Sequence, residues 1–130
     1  MKATIKSVLA SMLVAGSVLI AHLAAAHHST IGQINEETTQ ISGTIKEFQF
    51  KNPHSWIQVN VVDDKGETVE WSVEWGNPNN LVRQGYNPST FKAGAQVTMQ
   101  LRQHVSNAPL GEFMAARFAD GTTIGKWVGE

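Results

Sequence analysis

The chain has 130 residues, a formal net charge of −1 and no cysteine. This length is typical of one domain, and the nearly balanced charge excludes the basic excess typical of nucleic-acid-binding proteins. The lack of Cys excludes disulfides, a thiolate nucleophile, a Cys-ligated zinc site and c-type haem attachment.

Residues 1–26 have the pattern of a cleaved secretory signal peptide. Two lysines lie within the first six residues, an uncharged apolar run covers residues 7–20, and small residues lead up to Ala26. The apolar run is shorter than the roughly 20 residues needed to span a bilayer, so we expect cleavage rather than a retained anchor. We therefore predict a periplasmic protein that begins at His27, carries a net charge of −3 and has no stable membrane anchor.

Residues 27–38 lack a clear period and are predicted to form an N-terminal arm before a single domain at 39–130. In that domain, Asn77 and Pro78 predict the start of a short helix that ends near Gly85, with Leu81 and Val82 on its apolar face. Alternating apolar residues predict strands at 39–50, 56–62, 67–75, 96–103, 112–118 and 123–128.

The order of these elements indicates the fold class. Gly43, and the change in phase of the apolar residues near Lys46 and Glu47, predict a bulged and strongly curved first strand. Three strands, a short helix and two or three further strands are typical of the OB-type barrel. We predict an all-β fold, a small closed or partly open barrel of five or six strands that is OB-like, with a small β-sandwich as the alternative.

Histidines near the predicted mature terminus provide the main chemical signal. At a new terminus, His27 offers an α-amine and an imidazole that can chelate one metal ion, and two nitrogen donors suit Cu(II). His28, His54 and His104 are predicted as further metal ligands. The alternative is a mobile His27-His28 terminus, with His54 stabilising the turn that Asn52 begins.

Other polar and aromatic residues give weaker signals. Glu70 and Glu74 lie on the polar face of the third predicted strand, where a solvated row is expected and an acid–base pair with His54 is the alternative. Trp71 and Trp75 share the apolar face and are expected to pack in the core. The sequence has no nucleotide-binding loop, serine nucleophile elbow or zinc-protease helix, so we predict no enzyme activity.

Several short blocks resemble a known family. These are His27-His28-Ser29, the Asn-Pro-His-Ser-Trp run at 52–56 and the Glu-Trp-Ser run at 70–72. They resemble a family of small exported Gram-negative proteins that is known only as a domain of unknown function. The resemblance implies a periplasmic, β-rich domain without an assigned activity, and its pattern includes the His-His-Ser start and His54.

These observations predict a small periplasmic metal-binding protein, with copper as the expected metal and with binding or delivery rather than catalysis as its role. The alternative is a non-catalytic OB-like module that binds a cell-envelope protein or a small ligand, with structural histidines. No nucleic-acid partner is expected, because the mature chain would be acidic.

Overall fold

The computed structural model describes residues 31–129. These residues form six β-strands and one short helix, and each element takes its label here in chain order. The elements are β1 (Ile34–Gln49), β2 (Trp56–Val62), β3 (Thr68–Glu74), α1 (Pro78–Arg83), β4 (Gln96–His104), β5 (Leu110–Phe118) and β6 (Thr123–Gly125).

Backbone hydrogen bonds link five of these strands into a ring in the order β1-β2-β3-β5-β4. The long strand β1 pairs antiparallel with β2 and also with β4. The ring is completed by a short parallel pairing of β3 with β5, from Ser72 opposite Leu110 to Glu74 opposite Glu112. This arrangement confirms the predicted all-β, partly open barrel with OB-like strand order, and it differs from two stacked sheets.

A bend in β1 allows this strand to pair with two neighbours. The pairing of β1 with β2 shifts register between Ile45 and Glu47, which confirms the predicted bulge. At Gly43 a Cβ atom would lie 2.2 Å from the backbone oxygen of Asn60. Glycine is therefore needed here because the two backbones approach too closely for a side chain.

The core lies on the inward faces of the ring strands. Trp71 and Val73 alternate inward along β3, and the side chains of Trp71 and of Trp75, just beyond the strand, pack against the buried cluster, as predicted. Trp75 lies 4.7 Å from Phe113 between ring centroids. The largest fully buried side chains of the cluster are Ile45, Ile57, Val59, Val73, Met99 and Leu101.

Helix α1 starts as the sequence predicts, but its apolar face is narrower. The side chain of Asn77 accepts a hydrogen bond from the backbone N–H of Asn80 at 3.0 Å, which caps the helix before Pro78. Leu81 is buried, whereas Val82 is 57% exposed. The prediction that Val82 belongs to the buried face is wrong, because a six-residue helix presents only one position to the core.

The strand ends differ from the predicted bounds. β1 begins at Ile34, so the last part of the predicted arm is strand; its backbone is paired with β4, where Ile34 lies opposite His104. β6 stops at Gly125 rather than residue 128. Beyond it, the buried side chain of Gln100 donates to the backbone oxygen of Val128 and accepts from its N–H, both at 2.9 Å. This amide therefore fixes the tail in place of a longer strand.

Candidate functional site

The loop between β1 and β2 places His54 beside the end of β3. Ser55 donates its N–H to the oxygen of Gly76 at 3.0 Å and accepts from the N–H of Trp75 at 2.8 Å. The next residue, Trp56, lies directly opposite Glu74 in the β2–β3 pairing. Backbone bonds at the β2 end of the loop, directly after His54, therefore fix the position of His54 relative to β3.

The His54–Glu74 pair is the central feature of the site. Nδ1 of His54 contacts Oε1 of Glu74. Glu74 is only 3% exposed, whereas the side chain of His54 is 31% exposed. The expectation that Glu74 belongs to a solvated carboxylate row is therefore wrong. Hydrogen bonding to the imidazole offsets part of the free-energy penalty for burying a carboxylate.

This pairing determines the chemistry that the imidazole can offer. When Nδ1 carries a proton and donates it to Glu74, the lone pair of the neutral ring is on Nε2. A lone pair in a fixed orientation can act as a metal ligand or accept a proton. The Glu74 carboxylate would then hold the ring in one orientation and fix which ring nitrogen carries the lone pair.

Glu70 shows how different a second carboxylate on the same strand is. Its Oε2 forms an ion pair with Nζ of Lys46, and both side chains are about half exposed. Glu70 therefore fits the predicted solvated face. Glu70 lies an even number of residues before Glu74, on the same face of β3, and therefore provides an exposed comparison for it.

Strands β5 and β4 each bring one further charged residue near the pair. Glu112 lies opposite Glu74 in the parallel β3–β5 pairing. Arg102 of β4 reaches Oε2 of Glu112 with its Nη2 at 3.1 Å. The side of Glu74 that faces away from β2 is therefore occupied by Glu112 on β5 and, beyond it, by Arg102 on β4.

His104 lies at the end of β4 and is bonded within its own loop. Its Nδ1 lies 2.7 Å from the hydroxyl of Ser106, whose backbone N–H also donates to Nδ1 at 3.2 Å. Among residues 31–129 there is no group of three or more His, Asp or Glu side chains that could hold a metal ion. The predicted ligands His27 and His28 lie outside the described residues.

Glu74 was predicted as a partner of His54 only in the alternative acid–base pair, and its burial was not predicted. The signal was present in the hairpin: pairing residues outward from the turn at 63–66 places Trp56 opposite Glu74, and His54 two residues before Trp56. The position of Glu112 beside Glu74 depends instead on the parallel contact of β3 with β5, which no local pattern indicates. The Arg102–Glu112 ion pair follows from the antiparallel pairing of β4 with β5, where the two residues lie opposite each other.

A family model described as a family of unknown function, DUF6152, matches residues 15–111. The chain belongs to this family. No curated protein and no solved structure matches the chain significantly. The DUF6152 match includes His54 and Glu74, and it confirms the resemblance to a domain of unknown function. In the described part of this DUF6152 protein, no helix is both long and apolar enough to cross a membrane.

Proposed function

We propose that this DUF6152 protein is a small exported metal-binding protein that uses His54 as a ligand for copper. Its role is binding or delivery rather than catalysis. The observation that carries the proposal is the contact of His54 Nδ1 with the buried carboxylate of Glu74. Histidines that bind metals usually donate their second ring nitrogen to a carboxylate, a carbonyl or water, which fixes the tautomer and the ring orientation.

The burial of the two groups fits these different roles. Glu74 is almost fully enclosed and supports the ring, while about a third of the His54 side chain reaches solvent. A ligand must be accessible to an incoming ion, whereas its supporting carboxylate is most effective in a low-dielectric environment. Glu74 therefore serves as the positioning residue and His54 as the ligand.

The sequence supports export and copper as the metal. A predicted signal peptide precedes His27, whose α-amine and imidazole would chelate Cu(II), with His28 as a neighbouring imidazole donor. Nitrogen donors of this kind favour Cu(II) over the other divalent first-row ions. His104 remains a proposed additional ligand; its Nδ1 is occupied by Ser106, so Nε2 would be the donor.

The test is a Cu(II) titration of the mature chain that begins at His27, followed by calorimetry and by EPR to count coordinated nitrogens. His54→Ala is expected to weaken binding at least about tenfold, which corresponds to about 1.4 kcal/mol, and to remove one nitrogen from the EPR signal. Lys51→Ala, at an exposed position of the same loop, is the control, and His104→Ala tests the proposed additional ligand. Equal affinity and equal nitrogen coupling in His54→Ala and in the unchanged chain would refute His54 as a ligand.

Two further changes separate the contributions to binding. Acetylating the α-amine of His27 removes the amine donor of the terminal chelate and leaves His54 intact. Glu74→Gln keeps the shape of the side chain and removes its charge, and loss of such a supporting carboxylate typically reduces metal affinity about 10- to 100-fold. Glu70→Gln is the exposed control on the same strand. If Glu74→Gln and Glu70→Gln bind Cu(II) equally well, Glu74 does not position a ligand.

A further inference from the structure

A groove between the α1–β4 loop and the β5–β6 turn provides a second site, which goes beyond the proposed metal function. We propose that this groove binds an oligosaccharide. It contains a cavity of about 390 Å³, within the size range of small-molecule sites. A second cavity of about 230 Å³ shares the lining residues Gln96, Phe118 and Ala119, so the two cavities adjoin.

The lining combines one aromatic ring with neutral polar groups. Phe118 is half-buried and offers an apolar surface, against which the C–H face of a sugar ring can pack. Gln96, Ser89, Thr90 and Thr122 also line the cavity, and the side-chain amide of Gln96 is held in place by donating to the hydroxyl of Thr44 at 2.7 Å. Amides and hydroxyls both donate and accept hydrogen bonds, which matches the hydroxyl groups of a sugar.

The charges in the larger cavity favour a ligand without a strong net charge. Lys92 and Asp120 have opposite signs, and in the described part of the chain neither takes part in an ion pair. The backbone N–H and hydroxyl of Thr122 lower the pKa of Asp120, so this carboxylate is ionised at neutral pH. Lys92 is accompanied by this carboxylate, and Arg117 of the adjoining cavity stacks over the ring of Trp127, so the groove does not provide the positive surface that a nucleic-acid backbone requires.

Internal hydrogen bonds hold both walls of the groove in place. On one side, Asn87 accepts from the N–H of Ser89 at 2.8 Å and donates its own N–H to the hydroxyl of Thr90 at 2.9 Å. On the other side, Asp120 accepts from the N–H of Thr122 at 2.8 Å. A preformed wall reduces the ordering entropy lost on binding, which matters for a weakly binding, polar ligand.

The groove is open, and its two cavities adjoin, which favours an oligosaccharide over a single small molecule. Sites for small molecules usually bury most of the ligand surface, whereas an open groove suits a chain that lies across it and leaves one side in water. The polar contacts come from side chains on two loops and one strand end, rather than from an unpaired strand edge that would bind a peptide backbone.

The experiment is an NMR titration of the mature protein with maltotriose, cellotriose and tri-N-acetylchitotriose, in the presence of EDTA. We expect at least one trisaccharide to shift the amide signals of residues 89–96 and 118–122. Because EDTA removes bound metal, binding under these conditions is independent of the proposed copper site. A failure of copper binding leaves this result unaffected.

Exposed residues allow a matched set of variants. Lys92→Ala and Gln96→Ala are each expected to weaken trisaccharide binding about tenfold, since each removes a hydrogen bond to the ligand. Lys65→Ala, in the exposed turn between β2 and β3, is the control. The proposal is overturned if no trisaccharide shifts the groove signals, if the shifts lie elsewhere, or if both groove variants bind as well as Lys65→Ala does.

Discussion

The strength of the His54–Glu74 pair can be measured against an exposed ion pair on the same strand. A double-mutant cycle combines His54→Ala with Glu74→Gln, and a control cycle combines Lys46→Ala with Glu70→Gln. Glutamine keeps the size of each glutamate and removes its charge. The first carboxylate is almost fully buried and the second is about half exposed, so solvent screening is the main difference between the two cycles.

The expected coupling energies follow from this difference in burial. A hydrogen bond to a charged group contributes about 1.5–3 kcal/mol to the free energy of unfolding. An exposed ion pair contributes about 0–1 kcal/mol and is weakened by salt. We therefore expect a coupling of about 2 kcal/mol between His54 and Glu74, and less than about 1 kcal/mol between Lys46 and Glu70.

Urea denaturation of the mature protein, monitored by tryptophan fluorescence at pH 7, provides the free energies of unfolding. Repeating both cycles in 1 M NaCl is expected to remove the coupling of the exposed pair and to retain most of the coupling of the buried pair. A His54–Glu74 coupling below about 0.5 kcal/mol, within the range of independent sites, would refute the reasoning.

Three further predictions concern stability. Gly43→Ala is expected to lower the free energy of unfolding by about 3 kcal/mol or more, because a Cβ there collides with the β2 backbone. Gly66→Ala is the control: only a positive φ opposes this change, and the free energy of unfolding in the same urea assay should fall by about 1–2 kcal/mol. Ser55→Ala is expected to raise the free energy of unfolding by about 1 kcal/mol, because its buried hydroxyl has no hydrogen-bond partner among the described residues; a clear loss would reveal a partner such as ordered water. The depressed pKa of Asp120 means that its carboxylate stabilises the fold above its ordinary pKa of 3.8, and that this contribution is lost as the pH falls through the lower folded value. The difference in free energy of unfolding between the unchanged protein and Asp120→Asn should therefore decrease as the pH falls from 5 to 2. A difference that stays constant over this range would contradict the role of Thr122.

The sequence predicts those parts of the fold that depend on local patterns. Alternation from Val69 to Trp75 identifies β3 and its inward face, and Gly43 with the change of phase after Ile45 identifies the bend in β1. The start of β1 was not predicted because residues 34–38 are mostly polar. Their strand conformation is supported by pairing with β4, about 65 residues later in the chain.

The candidate site was predicted only in part. His54 could be identified because a histidine follows Asn52-Pro53 immediately before a strand. The burial of Glu74 was missed, since a glutamate on the polar face of a strand is usually solvated. In this fold, Glu74 lies where β3 meets β5 as well as β2, and these neighbours cover a position that alternation alone assigns to solvent.

The pairing of β3 with β5 has a consequence for how the chain folds. The ring of strands requires residues from β1 to β5, so no early part of the sequence can complete it. A chain that ends before residue 110 lacks the strand that joins β3 to β4, and it leaves the inward faces of Ile57, Val59 and Val73 incompletely covered. Such long-range pairing slows folding. A partly synthesised chain would therefore expose apolar strands and unpaired backbone groups until β5 has been made. Such exposure favours aggregation.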